Sequence, residues 1–313
     1  MFSERNDELM EYVLKTKELC KRYKDFKALN GLTMNVPKGA IYGFVGKNGA
    51  GKTTLIRLVC GLQEPTSGEF EIYGVKHFDK AISKSRRRMG AVVETPSVYS
   101  DMTAAGNLKQ QYRILGMPSF DGIEELLKLV GLGDTGKKKV RDFSLGMKQR
   151  LGIAVALCGS PDFLLLDEPV NGLDPQGIIE IRELILKLNR ENKITVLISS
   201  HILDELSRLA THYGFIDRGR IVREISAEEL EAVCRKCMRV TVTNTAVLSR
   251  VLSEMGLDYK IIDDTQADVY SKPNISQLSL ALAKYNCEII SVSGHDESLE
   301  SFFISTVGGD VHA

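Results

Sequence analysis

Three features of this 313-residue sequence predict an α/β fold on a mainly parallel sheet, followed by a smaller α+β unit. Strand-like apolar runs alternate with helical stretches through most of the chain, as βαβ units require. The run Ala40–Val45 passes through a glycine-rich turn straight into a helical pattern, and the run Phe163–Asp167 ends in acids. After Gly219 the rhythm changes to an order of strands and helices that reads βαββαβ.

From about Tyr12 to Val36, short apolar runs separated by turn residues such as Asn30-Gly31 predict antiparallel strands at the front of the domain. Tyr23, within Lys21-Arg22-Tyr23-Lys24, either stacks on a base or packs on the sheet.

The stretch Gly46-Lys47-Asn48-Gly49-Ala50-Gly51-Lys52-Thr53 fits the phosphate-loop pattern G-x-x-x-x-G-K-[ST] at every fixed position. A buried strand precedes it, and Thr54-Leu55-Ile56-Arg57-Leu58-Val59 continues it as a helix. Its backbone must turn tightly and aim N–H groups inward, and side chains at Gly46, Gly49 and Gly51 would crowd enclosed phosphates. The helix N-terminus adds partial positive charge, Lys52 a full one, and Thr53 a hydroxyl for Mg²⁺. The competing reading is a turn that binds nothing, and the strand and helix on either side weigh against it. These residues form a nucleoside-triphosphate site.

Further along, Pro65-Thr66-Ser67-Gly68 predicts a turn and Glu69–Gly74 a strand. Arg86-Arg87-Arg88 reads as a solvated face. Met89–Glu94 predicts a strand ending in a carboxylate, and Thr103 to about Gly131 a helical subdomain. Ser144 is placed to cap the helix that runs through Ala156. Phe163–Asp167 is a buried strand whose Asp167 and Glu168 lie at its C-terminal end, where open α/β sheets bind ligands. Asn171-Gly172-Leu173-Asp174-Pro175 turns into a helix starting near Gln176. Thr195–Ser200 is a further core strand, and His201 just past its end faces the same edge as the two acids.

The C-terminal pattern predicts strands at Met238–Thr243, Tyr259–Ile262, Asp268–Tyr270 and Glu288–Val292. Helices are expected near Ala246–Glu254, Ile275–Lys284 and Leu299–Val307, a ferredoxin-like order. Domains are therefore expected at 1–225 and 226–313. Forty-one basic and 41 acidic residues balance, so general nucleic-acid binding is not expected. No apolar run approaches the ~20 residues that span a bilayer. The polar N-terminus is no secretory signal, so a cytoplasmic protein is expected, with any membrane role supplied by a partner. Of six cysteines, only Cys234-Arg235-Lys236-Cys237 has ligand-like spacing, and it lacks a second pair or nearby histidines. Reduced thiols are the better account.

Jointly, Gly46–Thr53, Glu94-Thr95-Pro96, Ser144–Arg150, Phe163–Glu168, Asn171–Asp174 and His201 resemble the ATP-binding subunits of ABC transporters over about residues 12 to 225. The motif order is Walker A, Q-loop, signature, Walker B, D-loop and H-loop. The Glu94-Thr95-Pro96 variant and the tail Asp296–Phe303 resemble the bacitracin-type, drug- and peptide-antibiotic-exporter branch. Two positions depart from the usual pattern. Leu145 replaces a glycine of the signature, and Glu94 stands where glutamine is usual.

The resemblance implies a P-loop core with an antiparallel β subdomain and a helical subdomain, ATP and Mg²⁺ as cofactors, and ATP hydrolysis coupled to export. It implies that Lys52 and the loop from Gly46 to Thr54, including Lys47, Asn48 and Ala50, hold the phosphates. Thr53 and Asp167, with Glu94 nearby, hold Mg²⁺. Glu168 acts as general base, His201 contacts the γ-phosphate, and Tyr23 stacks on adenine. Ser144 and Gly146 face the nucleotide of a partner chain, and Asp174 ties the two sites together. The implied partners are a second copy or a related ATPase subunit, and a membrane permease engaged from the cytoplasmic face. A soluble ABC ATPase without a membrane partner is the alternative. A P-loop kinase would leave Ser144–Arg150 and His201 unexplained.

Overall fold

The computed structural model describes residues 11–233, 237–270 and 273–295. The chain divides into two compact units between Ala227 and Glu228.

The first unit opens with a long hairpin, β1 (Tyr12–Tyr23) and β2 (Phe26–Pro37), as the alternating pattern predicts. Next come β3 (Ile41–Val45), α1 (Lys52–Val59), β4 (Ser67–Ile72), β5 (Val75–Lys76), α2 (Ile82–Arg86) and β6 (Met89–Val92). A helical stretch follows with α3 (Ala104–Leu115), α4 (Ile123–Leu129) and α5 (Leu145–Leu157). The unit closes with β7 (Phe163–Asp167), α6 (Pro175–Asn192), β8 (Thr195–Ser200), α7 (Leu203–Ser207), β9 (His212–Asp217) and β10 (Arg220–Ser226).

These strands make two sheets. The antiparallel one has the order β2-β1-β4-β5, and the larger one β10-β9-β3-β8-β7-β6. All neighbours in the larger sheet run parallel except β9 and β10. Every residue of β3, β7 and β8 is buried, the mark of parallel strands covered on both faces. The α1 side chains Leu55, Ile56, Leu58 and Val59 are fully buried in one core with Phe44, Leu165 and Leu197 of the parallel sheet. Leu14, Met34 and Phe70 of the antiparallel sheet share that core. Each such side chain contributes about 1.5–3 kcal/mol on burial, so the helix behind the phosphate loop is clamped from two sides.

α6 buries Ile181, Leu184, Ile185 and Leu188, one stripe at helical spacing. At the edge of the sheet, β6 lies directly against the last turn of α5. A Cβ on Gly90 would sit 2.3 Å from the Ala156 carbonyl oxygen.

A short helix, α8 (Ala227–Val233), leads into the C-terminal elements. These are β11 (Cys237–Val242), α9 (Thr245–Glu254), β12 (Tyr259–Ile261), β13 (Gln266–Val269), α10 (Ile275–Ala283) and β14 (Ile289–His295). The sheet order is β12-β13-β11-β14, over a core of Val240, Val242, Leu248, Leu252, Val269 and Leu278. The third strand starts at Gln266 rather than at Asp268. Asp263 Oδ1 accepts the N–H groups of Thr265 and Gln266 at 2.7 and 2.8 Å, ending the turn early. The expected helix at Leu299–Val307, the tail Asp296–Phe303, and Cys234, Arg235 and Lys236 lie outside the described residues. Among the described residues no helix is long and apolar enough to cross a membrane.

Because backbone faces backbone at Gly90, Gly90→Ala should cost about 1–3 kcal/mol. Thermal unfolding of the full chain should show a melting temperature lowered by several degrees.

Candidate functional site

The site is built where β3, β7 and β8 end. Gly46 follows β3 directly, and its N–H donates to the Ser200 carbonyl at 3.2 Å. The loop glycines answer to different demands. Gly49 has φ +82°, a left-handed backbone that favours glycine, and no described residue comes within 4 Å of where a Cβ would stand. Gly46 would drive a Cβ to 2.5 Å from Ile216 Cγ2 and 2.6 Å from its carbonyl oxygen. Gly51, at φ +114°, would meet the Ala28 carbonyl at 2.5 Å. These contacts add a reason for glycine beside the expected crowding of a phosphate. Gly46 and Gly51 are required by β9 and β2 packed behind the loop.

Lys52 is buried, with 5 % of its side chain exposed. Its Nζ donates to the carbonyl oxygens of Gly46 at 2.6 Å and Lys47 at 3.3 Å, and it pairs with Glu168 Oε1 at 3.1 Å. Glu168 Oε2 in turn lies 2.8 Å from His201 Nδ1. One carboxylate thus joins the end of β7 to the phosphate loop on one side and to the residue after β8 on the other. Glu168 reaches both from φ +49°, a left-handed conformation that costs about 1–3 kcal/mol and is characteristic of functional sites. Asp167 is buried at the end of β7, and its Oδ1 accepts the Ser199 hydroxyl at 2.5 Å.

Thr53 and Thr54 are half-buried on the first turn of α1. Ser144 caps α5, its Oγ accepting the Met147 N–H at 3.2 Å, and it is exposed. Gly146 follows on the same turn, where a Cβ would find nothing closer than Leu173 Cδ2 at 3.8 Å. Asp174 caps α6 through the Gly177 N–H at 3.0 Å. The capping turn of α5 and the Asn171–Asp174 loop are neighbours, since a Cβ on Gly172 would lie 3.4 Å from Leu145 Cδ2. Tyr23 closes β1 with its ring partly exposed, Lys21 Nζ 5.3 Å from the ring centroid and its hydroxyl donating to Gln63 Oε1.

Glu94 stands two residues past the end of β6. Its carboxylate Oε1 accepts Arg57 Nη2 of α1 at 2.5 Å from a left-handed backbone (φ +59°). A carboxylate in an amide's position attracts the nearest guanidinium, and the pair stays open to solvent, with 56 % of the glutamate side chain exposed. Two residues on, Pro96 presses on α5, where a Cβ on Gly152 would meet Pro96 Cβ at 2.6 Å.

Sequence reasoning missed Ser199, Arg57 and Glu205. Ser199 follows the buried apolar run Val196–Ile198, and Arg57 reads as a polar position on a helix. Glu205, on α7, has a buried Oε2 with no hydrogen-bond partner. Burial raises its carboxyl above the usual carboxylate range. Nearby His201 opposes that shift, while Glu168 and Asp204 add to it.

A buried lysine, loop amides at a helix N-terminus, two carboxylates and an imidazole at one sheet edge can bind phosphates and activate water. Residues 29–171 match the family model for ABC transporter. Bacitracin transport ATP-binding protein BcrA of Bacillus licheniformis is 42% identical over 306 residues, spanning 96% of this chain and 99% of that protein. The chain belongs to the ABC transporter ATP-binding subunits. The subunit is also 44% identical to Lantibiotic transport ATP-binding protein SrtF of Streptococcus pyogenes, over 68% of this chain and 90% of that one. Among solved structures, the dimeric post-hydrolysis state of the ATP-binding cassette MJ0796 bound to ADP and Pi superposes with TM-score 0.62. It is 27% identical and spans 68% of the subunit and 98% of the cassette. The cbiO1 protein from Clostridium perfringens, part of the ABC transporter complex cbiONQ, aligns with TM-score 0.63 at 28% identity, over 79% of the subunit and 96% of cbiO1. The subunit is an ATPase that powers transport.

Glu205 holds its proton more tightly folded than unfolded, so the folded subunit bears a penalty above that raised pKa and sheds it as pH falls through it. Glu205→Gln should stabilise the subunit at pH 8, modestly because solvent screens much of the effect at this partly exposed side chain. Denaturant melts across pH should show that gain shrinking toward pH 5.

Proposed function

We propose that two copies of this subunit clamp ATP between the Gly46–Thr54 loop of one and the Ser144–Gly146 turn of the other. The observation that carries this reading is the surface at Ser144 and Gly146. Ser144 and Leu145 are exposed and Gly146 half-buried, and among the described residues nothing lies closer than 3.8 Å to where a Cβ on Gly146 would stand. In this arrangement Asp174, beside that turn, links the two sites, and Tyr23 stacks on the adenine.

The loop amides, with Lys47, Asn48 and Ala50 among them, and Lys52 hold the phosphates. A phosphate is a stronger partner for Lys52 than the Glu168 carboxylate, so nucleotide draws the lysine away and frees Glu168 Oε1. Glu168 then takes the proton of the water that attacks the γ-phosphorus, while His201 holds Oε2 and faces the same phosphate. Thr53 and Asp167 suit Mg²⁺, because a hydroxyl and a buried carboxylate are hard oxygen donors. Among the described residues no cation pairs with Asp167, which leaves the carboxylate open to one. When bound, that ion neutralises charge building on the phosphates.

ATP binding favours the closed pair only through its higher affinity for that state, and hydrolysis removes the bias. The surface around Thr95–Tyr99 and the helical stretch 103–131 would pass the motion to a membrane permease, placing the subunit at the inner face of the membrane. The relatives named for bacitracin and lantibiotic transport favour a peptide antibiotic or similar drug as cargo, moved outward, over a soluble ATPase with no membrane partner. Residues 226–313 would serve as an accessory domain.

Glu168→Gln should keep ATP binding yet lower turnover by about 10²-fold or more, because the amide cannot take the proton. Size-exclusion chromatography with ATP should then show an accumulating dimer, and an ATP-loaded monomer would count against the clamp. Gly146→Asp places a carboxylate against the partner's γ-phosphate while leaving its own helix intact. Its melting temperature should match wild type within about 0.5 kcal/mol of stability, while ATP-driven dimerisation is lost.

A further inference from the structure

We propose that Ser199 is a positioning residue of the hydrolysis site, using one hydroxyl to fix both Asp167 and Glu168. The inference rests on the reading above, in which Asp167 serves the metal and Glu168 serves the water.

Ser199 is fully buried in β8, preceded by the buried apolar residues Val196, Leu197 and Ile198. A hydroxyl in such a strand is costly unless it is bonded. Parallel register sets Ser199 opposite Asp167. A serine hydroxyl offers one proton and accepts through its lone pairs, and here both capacities are used. The proton goes to Asp167 Oδ1 at 2.5 Å, a charge-assisted length. A lone pair accepts the Glu168 N–H at 3.0 Å, and that N–H also reaches the Ser199 carbonyl oxygen at 3.2 Å.

The two bonds do different work. Holding Oδ1 fixes the rotation of the Asp167 carboxylate and leaves Oδ2 as the oxygen that Ser199 does not engage. Holding the Glu168 N–H secures a residue whose left-handed backbone is unfavourable without support. That conformation is what carries the Glu168 side chain to Lys52 and His201. Ser199 touches no phosphate and no water of the reaction. It acts through the two acids.

The test compares Ser199→Ala with wild type, using the full-length chain and a fluorescent ATP analogue titrated in Mg²⁺ and in EDTA. Asp167→Asn and Glu168→Gln are run in parallel. Binding in EDTA should be unchanged in Ser199→Ala, since Lys52 and the loop amides are intact. The gain in affinity on adding Mg²⁺ should fall about tenfold, and turnover by a similar factor, the usual loss when a group orienting a metal ligand is removed. Losing two buried hydrogen bonds should lower the melting temperature by several degrees, so binding is compared at a temperature where both proteins are folded.

A Ser199→Ala protein that keeps the full Mg²⁺ gain, while Asp167→Asn loses it, overturns the role of Ser199 and leaves the site reading intact. An Asp167→Asn protein that keeps the gain removes the metal reading itself, and the proposal with it. A Ser199→Ala protein weakened equally in EDTA and Mg²⁺ would show a general packing defect and would also overturn the proposal.

Discussion

Parallel pairing of β3, β8 and β7 is the constraint on which the site depends. Val45 lies opposite Ser200, and Asp167 opposite Ser199, so three strands end on one line. The groups just past those ends are the phosphate loop, Glu168 and His201. None of these strands has a solvent face, so all three are held by packing on both sides. A one-residue slip would exchange the faces of β7 and take Asp167 away from Ser199. The packing that stabilises the fold therefore also sets the distances of the chemistry.

Within that frame the electrostatics are self-contained. Lys52 is buried against two carbonyl oxygens and one carboxylate, so it is never an uncompensated charge. Glu168 divides its two oxygens between a cation and an imidazole. Such a pair can be opened only by a ligand that replaces what it takes, as an anion would for Lys52. The strained backbone at Glu168 belongs to the same design. It raises the energy of the folded chain locally and places the carboxylate where three elements converge.

Features that depend on local sequence were legible. The phosphate loop is a contiguous pattern with a strand before and a helix after, and β1, β2, β7, β8 and α6 follow from burial patterns that the sequence shows directly. What escaped depends on contacts across the fold. Arg57 and Glu94 meet although 37 residues separate them, a pairing that no local pattern announces. Ser199 follows the apolar run Val196–Ile198, and only the register reveals the acid beside it. The packing reasons for Gly46 and Gly51 escaped for the same cause. The atoms that exclude a side chain belong to Ile216 and Ala28, remote in sequence.

The glycines also separate what the chain needs for itself from what it offers to others. Gly46, Gly51, Gly90 and Gly152 each face an atom of their own chain at 2.3–2.6 Å from where a Cβ would stand. Gly146 faces none closer than 3.8 Å. It sits in the first turn of a helix, where glycine costs up to about 1 kcal/mol relative to alanine. Intramolecular packing gives no return for that cost. A surface from outside the chain would, if it approached the turn as closely as Ala156 approaches Gly90. Ser144 on the same exposed turn and Asp174 beside it supply the polar groups such a surface would meet, whereas the glycines that the fold itself requires face atoms of their own chain.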